Sequence, residues 1–569
     1  VEQVDYKSEI AKMLSGLAGM SEDEVCLSVE IPANTALGDF AFPCHRLAKS
    51  LKKAPNVIAA DMAAGIKLSP VFDRAEAAGP YLNFFVNKET FAENIISKVL
   101  EKGLNYGGGD DGAGKTVVID YSSPNVTHEF HIGHLFSTTI GAALYRFYKF
   151  LGYRTIGVNY LGDWGTQFGK LLYGYNSWSS AEQLEKGGAD ELTRVYVKYH
   201  DEAVRDPGLE KAAREWLLKI EAGDACAREL WWKFRNIYLD KMEETYKRMD
   251  ISFDSYRGES YYNDKMDAVA DELREKNLLV ESDGAQIVEL EQYKMPVCLI
   301  LRSDGGTLYP TRDIAAALDR MREYGFYKSL YVTDMRQNLH FAQFFKVLEL
   351  MGYEWAKDLV HIPYGLLSLE SGALSARKGN VVLLEDLFDE SAKRILDIIN
   401  EKNADLPDKE SVAEDVGVGA IVFGVLYTSR IKDLVFSWEK ALNFDGETGP
   451  YVQYTHARAS SVLVKSEMLE DGLEKADYGS LTDDESFELI KAIGAFPDKL
   501  REAADKYEPF ILSRSLVSVA QAFNKFYHEN PILHSKGTVR AARLELVKCT
   551  RDVLKTGLGL LGIKAPEKM

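Results

Sequence analysis

Residues 116–134 read TVVIDYSSPNVTHEFHIGH: a β-branched apolar run ending at Asp120, a Ser-Ser-Pro-Asn turn, then three histidines. Residues 135–153, LFSTTIGAALYRFYKFLGY, carry helical periodicity as far as a terminating Gly152, and TIGVNYLG (155–162) is strand-like again. Strand, long helix and strand in that order demand a parallel crossover, because neighbouring parallel strands cannot be joined by a tight turn. The chain is therefore expected to contain an α/β domain built on a parallel, Rossmann-type sheet. A turn needs one or two breakers, but it has no use for His131 and His134 bracketing Gly133.

The alternation returns over about 286–390 with QIVEL, VCLIL, the helix around DIAAALDRMREYG, SLYVTD, the helix FAQFFKVLELMG and LVHIPYG. Between the two blocks, about 171–285 is helical, aromatic and charged, and reads as an insertion splitting the sheet or a lid beside it. Its Trp216, Trp231 and Trp232 stand at helical spacing, which is first a packing pattern. At 569 residues the chain exceeds one core, so several domains are expected. Residues 1–112 mix helical stretches with strand-like CLSVEI and YLNFFV and close on the glycine-rich linker GGGDDGAGK (107–115). Residues 113–390 are the α/β domain, and 391–569 read as a helical bundle.

A formal charge of −19 opposes a generic nucleic-acid coat but leaves room for a local basic face. The five cysteines stand singly with no CxxC, so a reduced compartment is expected and a structural zinc is not. No charged leader precedes an apolar stretch, and no run of about 18 apolar residues occurs. A cytoplasmic protein without a membrane partner is the expectation, with trimming left open because the chain starts at Val1.

His131 and His134, three apart at a helix start, share one face, and Gly133 lets a ligand approach the backbone. The first helical turn offers N–H groups and a favourable dipole to phosphate. Imidazoles placed there can donate to a pentacovalent phosphoryl transition state, which is electrostatic catalysis. Helix capping is the plainer alternative. Downstream, SGALSARKGNVV (371–382) is either a surface turn or a mobile basic loop able to close over a polyphosphate.

Together, HIGH at 131–134 after the first strand and LSARKGNVV (374–382) after the last resemble the two signatures of class I aminoacyl-tRNA synthetases. NYLGDWGTQFG (159–169), LYPTRDIA (308–315), QNLHFAQ (337–343) and FDGETGPYVQYTHAR (444–458) narrow the resemblance to arginyl-tRNA synthetases. NTALGDFAFPCHRLAK and GPYLNFFV resemble that family's appended N-terminal domain. The resemblance implies an α+β N-terminal tRNA-contacting domain over 1–112. It further implies a catalytic Rossmann-type domain over 113–390 and an all-helical anticodon-binding domain over 391–569.

It also implies a reaction: arginine and ATP give arginyl-adenylate and diphosphate, and the arginyl group passes to the 3′-terminal adenosine of tRNA(Arg), releasing AMP. Magnesium would accompany ATP. A guanidinium substrate needs a carboxylate fork, which the family supplies at Asp313. Tyr309 packs beside it, Asn125 takes the amino or carboxyl end, and Gln337 and Asp120 complete the pocket. His131, Gly133 and His134 go to ATP. The second loop carries over onto Leu374, Ser375, Arg377, Lys378 and Gly379, of which Ser375, Arg377 and Lys378 are catalytic and Lys378 also holds ATP. Adenine contacts are expected from His340, His361, Gly365 and Leu366. Asn159, Asp163 and Gln167 shape the pocket floor, and Trp164 reads as structural.

Some positions depart from the family pattern. Ala373 stands where the class-wide second signature begins with lysine, and His128 stands where many relatives carry a compensating lysine. A neutral imidazole supplies no permanent charge, so more of the diphosphate falls to Arg377 and Lys378. Phe136 follows HIGHL where arginine is common, and GAA replaces GDA at 141–143. On the tRNA side, Tyr451, Tyr454 and Arg458 suit stacking on unpaired bases plus a phosphate contact. Met569 is expected near the anticodon surface and Phe40 near the outer corner of the tRNA. The family is usually monomeric, acts on no DNA and typically needs bound tRNA before it activates arginine. Two alternatives stay open: a catalytically inactive synthetase-like RNA-binding protein, or another class I synthetase.

Overall fold

The computed structural model describes residues 4–32, 34–303, 308–369, 382–468 and 474–569. Two compact units emerge: residues up to Tyr106 with 455–496 and 518–556, and residues 107–454 with 497–517 and 557–569.

In the first unit a three-stranded antiparallel sheet runs in the order Phe40–Pro43, Tyr81–Val86, Phe72–Ala78. Phe42, Leu82 and Phe84 of these strands are fully buried. CLSVEI, expected as a strand, is different. Ser21 caps a helix over Glu22–Ser28, and Glu24 returns the bond to the Ser21 backbone, leaving a single bridge from Glu30 to Ala41. The Ser-x-x-Glu signature outweighs the β-prone residues that follow it.

The second unit holds a four-stranded parallel sheet. Its strands are β1 (Thr116–Asp120), β2 (Arg154–Val158), β3 (Lys328–Asp334) and β4 (Leu359–Tyr364), in the order β4-β3-β1-β2. β1 is buried at all five positions, as a strand covered on both faces must be, which explains its unbroken apolar run. Helix α1 (Leu135–Phe150) crosses from β1 to β2, and Ser137 Oγ donates to the Val332 carbonyl of β3 at 2.7 Å. Close packing on Tyr121 depends on Gly141: a Cβ there would meet the tyrosine Cβ at 2.1 Å. Because β1 has β2 on one side and β3 on the other, the chain reverses its winding direction between β1 and β3. In open α/β sheets the crevice outside the strand ends at that point takes ligands.

QIVEL and VCLIL do not join this sheet. They form an antiparallel sheet, Val280–Ser282, Ala285–Val288 and Cys298–Leu301, whose first turn carries Asp283 (φ 51°) and Gly284 (φ 78°). Asp-Gly with both residues left-handed is the hairpin turn that matches strand twist. The insertion is mainly helical, with a long helix α2 (Ala225–Arg248), and the strand Val280–Ser282 lies at its end. Trp216 and Trp231 pack against its core, whereas Trp232 is 53% exposed. Two further helices matter for the site, α3 (Tyr309–Tyr324) and α4 (Asn338–Leu350). Beyond residue 391 the described chain is mainly helical, with one short strand, Leu434–Phe436, pairing in parallel with Leu367–Leu369. Among the described residues no helix is long and apolar enough to cross a membrane.

Candidate active site

The chain leaves β1 through Ser122 (φ 68°) and Ser123 (φ 46°), two consecutive non-glycine residues in the left-handed region. Such strain persists only where the surroundings over-determine it, and here they do. Ser122 Oγ bonds Tyr246 of α2 at 2.7 Å and Thr138 of α1 at 2.8 Å, while its N–H donates to Ser137 Oγ at 2.9 Å. Ser123 Oγ donates to Asp120 at 2.7 Å, and its N–H donates to the Oδ1 of fully buried Asn159. Asn125 is fixed by its own turn, its Oδ1 accepting from Thr127 Oγ1 at 3.0 Å, and its backbone bridges to Gly162.

His131 caps a single tight turn, Ile132–His134, from which α1 continues. The His131 Nδ1 accepts the Gly133 N–H at 3.0 Å, and the His134 Nδ1 accepts the His131 N–H at 3.2 Å. With Nδ1 accepting, a neutral imidazole carries its proton on Nε2, so both rings present a donor. Both are held neutral. Burial and then His128 lower His131, while burial and then His131 push His134 down to about 3. The His134 ring lies 4.1 Å from that of His131 and 5.1 Å from Phe130. The last residue of the second signature and the chain just after it pair with this turn: Ile132 N–H donates to the Val382 carbonyl at 3.1 Å, and Leu384 N–H to the Phe130 carbonyl at 3.0 Å. Leu374, Ser375, Arg377, Lys378 and Gly379 lie outside the described residues.

A cavity of about 1160 Å³ is lined by Trp164, Gln167, Trp231, Glu259, Tyr309 and Arg312 among others. Tyr309 begins α3 and is 66% exposed. The start of α3 is anchored by Thr311 Oγ1, which donates to the Ile300 carbonyl at 2.7 Å. Asp313 Oδ2 is 2.5 Å from His340 Nε2 of α4, so His340, expected at the adenine, is placed against the Asp313 carboxylate. Gln337 is exposed at the N-terminal end of α4.

Asp120 is buried and turned to Arg320, whose Nη2 lies 2.7 Å from Oδ2; burial raises its carboxyl, which Arg320 and Ser123 draw back down. Arg320 is 2% exposed, with its guanidinium carbon 5.3 Å from the ring centre of Tyr160 and 5.4 Å from that of Tyr331. Asp163, fully buried, accepts from Arg235 of α2 at 2.7 Å and from the Ser260 N–H at 2.8 Å, tying the insertion to the segment that carries Glu259.

His361 stacks on Phe341 at 4.4 Å, bonds Thr333 Oγ1 at 2.8 Å and is pushed down to about 4 by burial. Gly365 N–H donates to the Arg430 carbonyl at 2.8 Å, and a Cβ on it would meet Asp433 and the Lys432 backbone at 2.8 Å. Leu366 is 49% exposed. Phe136 is buried and stacks on Tyr364 at 5.7 Å, so the position holds apolar packing. His128 packs edge-on to Tyr196, and burial followed by His200 lowers it, so it adds no fixed charge.

Of the expected tRNA contacts, Tyr454 is 38% exposed and Tyr451 half-buried in the second unit. Met569, also in that unit, packs against the cluster that includes Ile395 and Leu406. In the first unit, Arg458 bonds Asn524 and faces the Tyr527 ring, and Phe40 stacks on Tyr6 at 5.8 Å.

Glu259, Arg312 and Arg320 were missed by the reading of the sequence. For Arg320 a signal existed: it lies seven residues after Asp313, two turns along the same helix face. Glu259 begins a short 3-10 helix, Glu259–Lys265, in the later part of the insertion, and no local pattern marks it.

Known proteins agree with this architecture. The family model described as tRNA synthetases class I (R), catalytic domain, matches residues 95–438. The DALR anticodon binding domain matches 452–569, and the arginyl tRNA synthetase N terminal domain matches 5–86. An arginine–tRNA ligase of Alkaliphilus metalliredigens is 52% identical over 99% of this chain and 100% of its own length. One from Clostridium botulinum is 50% identical over the whole of both chains. The structure of Thermus thermophilus arginyl-tRNA synthetase superposes with a TM-score of 0.83 at 25% identity, covering 100% of each chain. A parallel sheet whose first strand feeds a HIGH turn, a helical anticodon-binding domain and curated relatives matched end to end place this chain in the class I arginyl-tRNA synthetase family.

Proposed function

We propose that this chain ligates L-arginine to the 3′ end of tRNA(Arg) in the crevice at the carboxyl edge of the parallel sheet. ATP, entering as its magnesium complex, and arginine form arginyl-adenylate and diphosphate. The 3′-terminal adenosine then attacks the arginyl carbonyl, and AMP leaves. The observation that carries the reading is the HIGH turn itself: the Nδ1 of His131 and of His134 each accepts a backbone N–H, which leaves Nε2 as the donor of a neutral ring. Donors fixed before the reaction stabilise charge that develops on the α-phosphate at no cost in reorganisation.

His131, Gly133 and His134 are assigned to the ATP phosphates. Ser375, Arg377 and Lys378 are assigned to the departing diphosphate, which the pairing of Val382 and Leu384 with the HIGH turn supports. His361, Gly365 and Leu366 are assigned to the adenine. Asp313, oriented by His340, takes the substrate guanidinium, with Tyr309 over it and Glu259 as a second carboxylate on the cavity wall. Asn125 and Gln337 take the amino-acid end. Asp120 acts through its pair with Arg320, which fixes the turn after β1. Tyr451, Tyr454, Arg458, Met569 and Phe40 are assigned to tRNA. The enzyme is proposed to work as a cytoplasmic monomer.

Gly133→Ala tests the phosphate assignment. The new Cβ would lie 2.7 Å from His131 Cε1 and 2.9 Å from its Nδ1, so the ring must move and its hydrogen bond is lost. Misplacement by about 1 Å costs on the order of a hundredfold in rate. Adenylate formation is expected to fall by about that factor while the KM for arginine holds. An unchanged rate would remove the HIGH turn from the chemistry.

A further inference from the structure

Three acids of the candidate site have internal partners, and one of them, Glu259, lines the cavity. Asp120 has Arg320, Asp313 has His340, and Glu259 has Arg312. The three pairs are not equivalent. Arg320 is clamped between two tyrosine rings and has nowhere to go. Arg312 is held loosely. One nitrogen, Nη1, lies 3.2 Å from Glu259 Oε2, and Nη2 reaches Asn263 only at 3.4 Å. Its Nε is buried without a partner among the described residues. Both Arg312 and Glu259 line the cavity, with side chains 13% and 17% exposed. A single-nitrogen contact is the weaker way for a guanidinium to hold a carboxylate, which favours a bidentate fork.

We infer that Arg312 is an internal competitor for the substrate. Its guanidinium occupies the Glu259 carboxylate while the pocket is empty and swings into the cavity when the guanidinium of L-arginine takes that carboxylate in its place. This rests on reading the cavity as the arginine pocket. The two groups are chemically the same, so one site suits both, and the cavity has room for the displaced side chain. Arg312 thereby sets how much arginine is needed to fill the site, and it keeps a buried acid compensated when no substrate is present.

The surroundings of Glu259 make the exchange measurable. Burial pushes its carboxyl up to about 7; Arg312 pulls it down, while Asp313 on the same helix and Asp163 from the loop after β2 push it up. Burial, then Asp313 and Glu259, raise the hydroxyl of Tyr160 far above its ordinary range, so it stays neutral. Without Arg312, Glu259 keeps its proton to higher pH, and arginine must expel that proton to bind.

The test is calorimetric titration of L-arginine into the full chain at pH 6.5 and 8.5, in buffers of different ionisation heat. Arg312→Met is expected to bind arginine roughly three- to tenfold more tightly than the parent at pH 8.5, as removal of a competing single-nitrogen ion pair allows. That gain should vanish at pH 6.5, and the variant should release more protons on binding. Arg312→Gln, which keeps a hydrogen-bonding side chain without charge, should move in the same direction and serves if the Met variant does not fold. Equal or weaker binding by both variants at pH 8.5 overturns the inference. Asp313→Asn separates the two layers: if it leaves arginine binding intact, the pocket assignment itself fails. If it abolishes binding while the Arg312 variants gain nothing, only the competitor role fails.

Discussion

Asp313→Asn is expected to lower kcat/KM for arginine by about thirtyfold to several thousandfold, the range for losing one member of a hydrogen-bonded charge pair. ATP affinity should stay within about twofold. Asparagine has the same size and can keep a bond to His340, so the helix start anchored by Thr311 should survive. What disappears is the charge. A neutral amide cannot balance a buried guanidinium, and the loss should appear in both KM and kcat because positioning of the substrate depends on it. Steady-state aminoacylation with varied arginine, alongside calorimetry with ATP, checks it. An arginine KM and turnover equal to the parent's would sink the assignment.

The second large effect is structural. Arg320→Met should destabilise the second unit by about 3–5 kcal/mol, the cost of leaving a buried carboxylate unpaired. Asp120 is 5% exposed and bonds only Arg320 and Ser123 among the described residues, so no solvent screens the loss. The double variant Arg320→Met with Asp120→Asn should recover much of the loss, because the uncompensated charge is gone. The intact pair need not be strongly stabilising itself: among the described residues Nε and Nη1 of Arg320 are buried without partners, a standing desolvation cost. Urea unfolding followed by hydrogen exchange in β1 and α3 measures this. A single variant within about 1 kcal/mol of the parent would show that the site relaxes or admits water.

What could be read beforehand follows the range of the interactions. The β1–turn–α1 unit is local, and its residues carry the whole signal: a five-residue apolar strand, a Pro-Asn turn and a helix closed by glycine. The HIGH turn was legible for the same reason, down to the shared face of His131 and His134. The internal partners of the acids were not. Asp120 and Arg320 are 200 residues apart, and Glu259 meets Arg312 only after the insertion has folded back. Periodicity reports which face is buried, not which distant charge it meets. Local errors had local causes, as in CLSVEI, where a capping box beat β-propensity, and QIVEL, where the Asp-Gly turn signalled a hairpin. His128, where the family resemblance implies a lysine, has no structural explanation beyond its packing on Tyr196.

The measurement that bears most directly on the central claim is amino-acid-dependent diphosphate–ATP exchange across the twenty amino acids, with and without tRNA. Exchange with arginine alone, appearing or rising strongly when tRNA(Arg) is added, is the predicted result. Exchange with another amino acid, or silence with all of them in a folded sample supplied with matching tRNA, would contradict it.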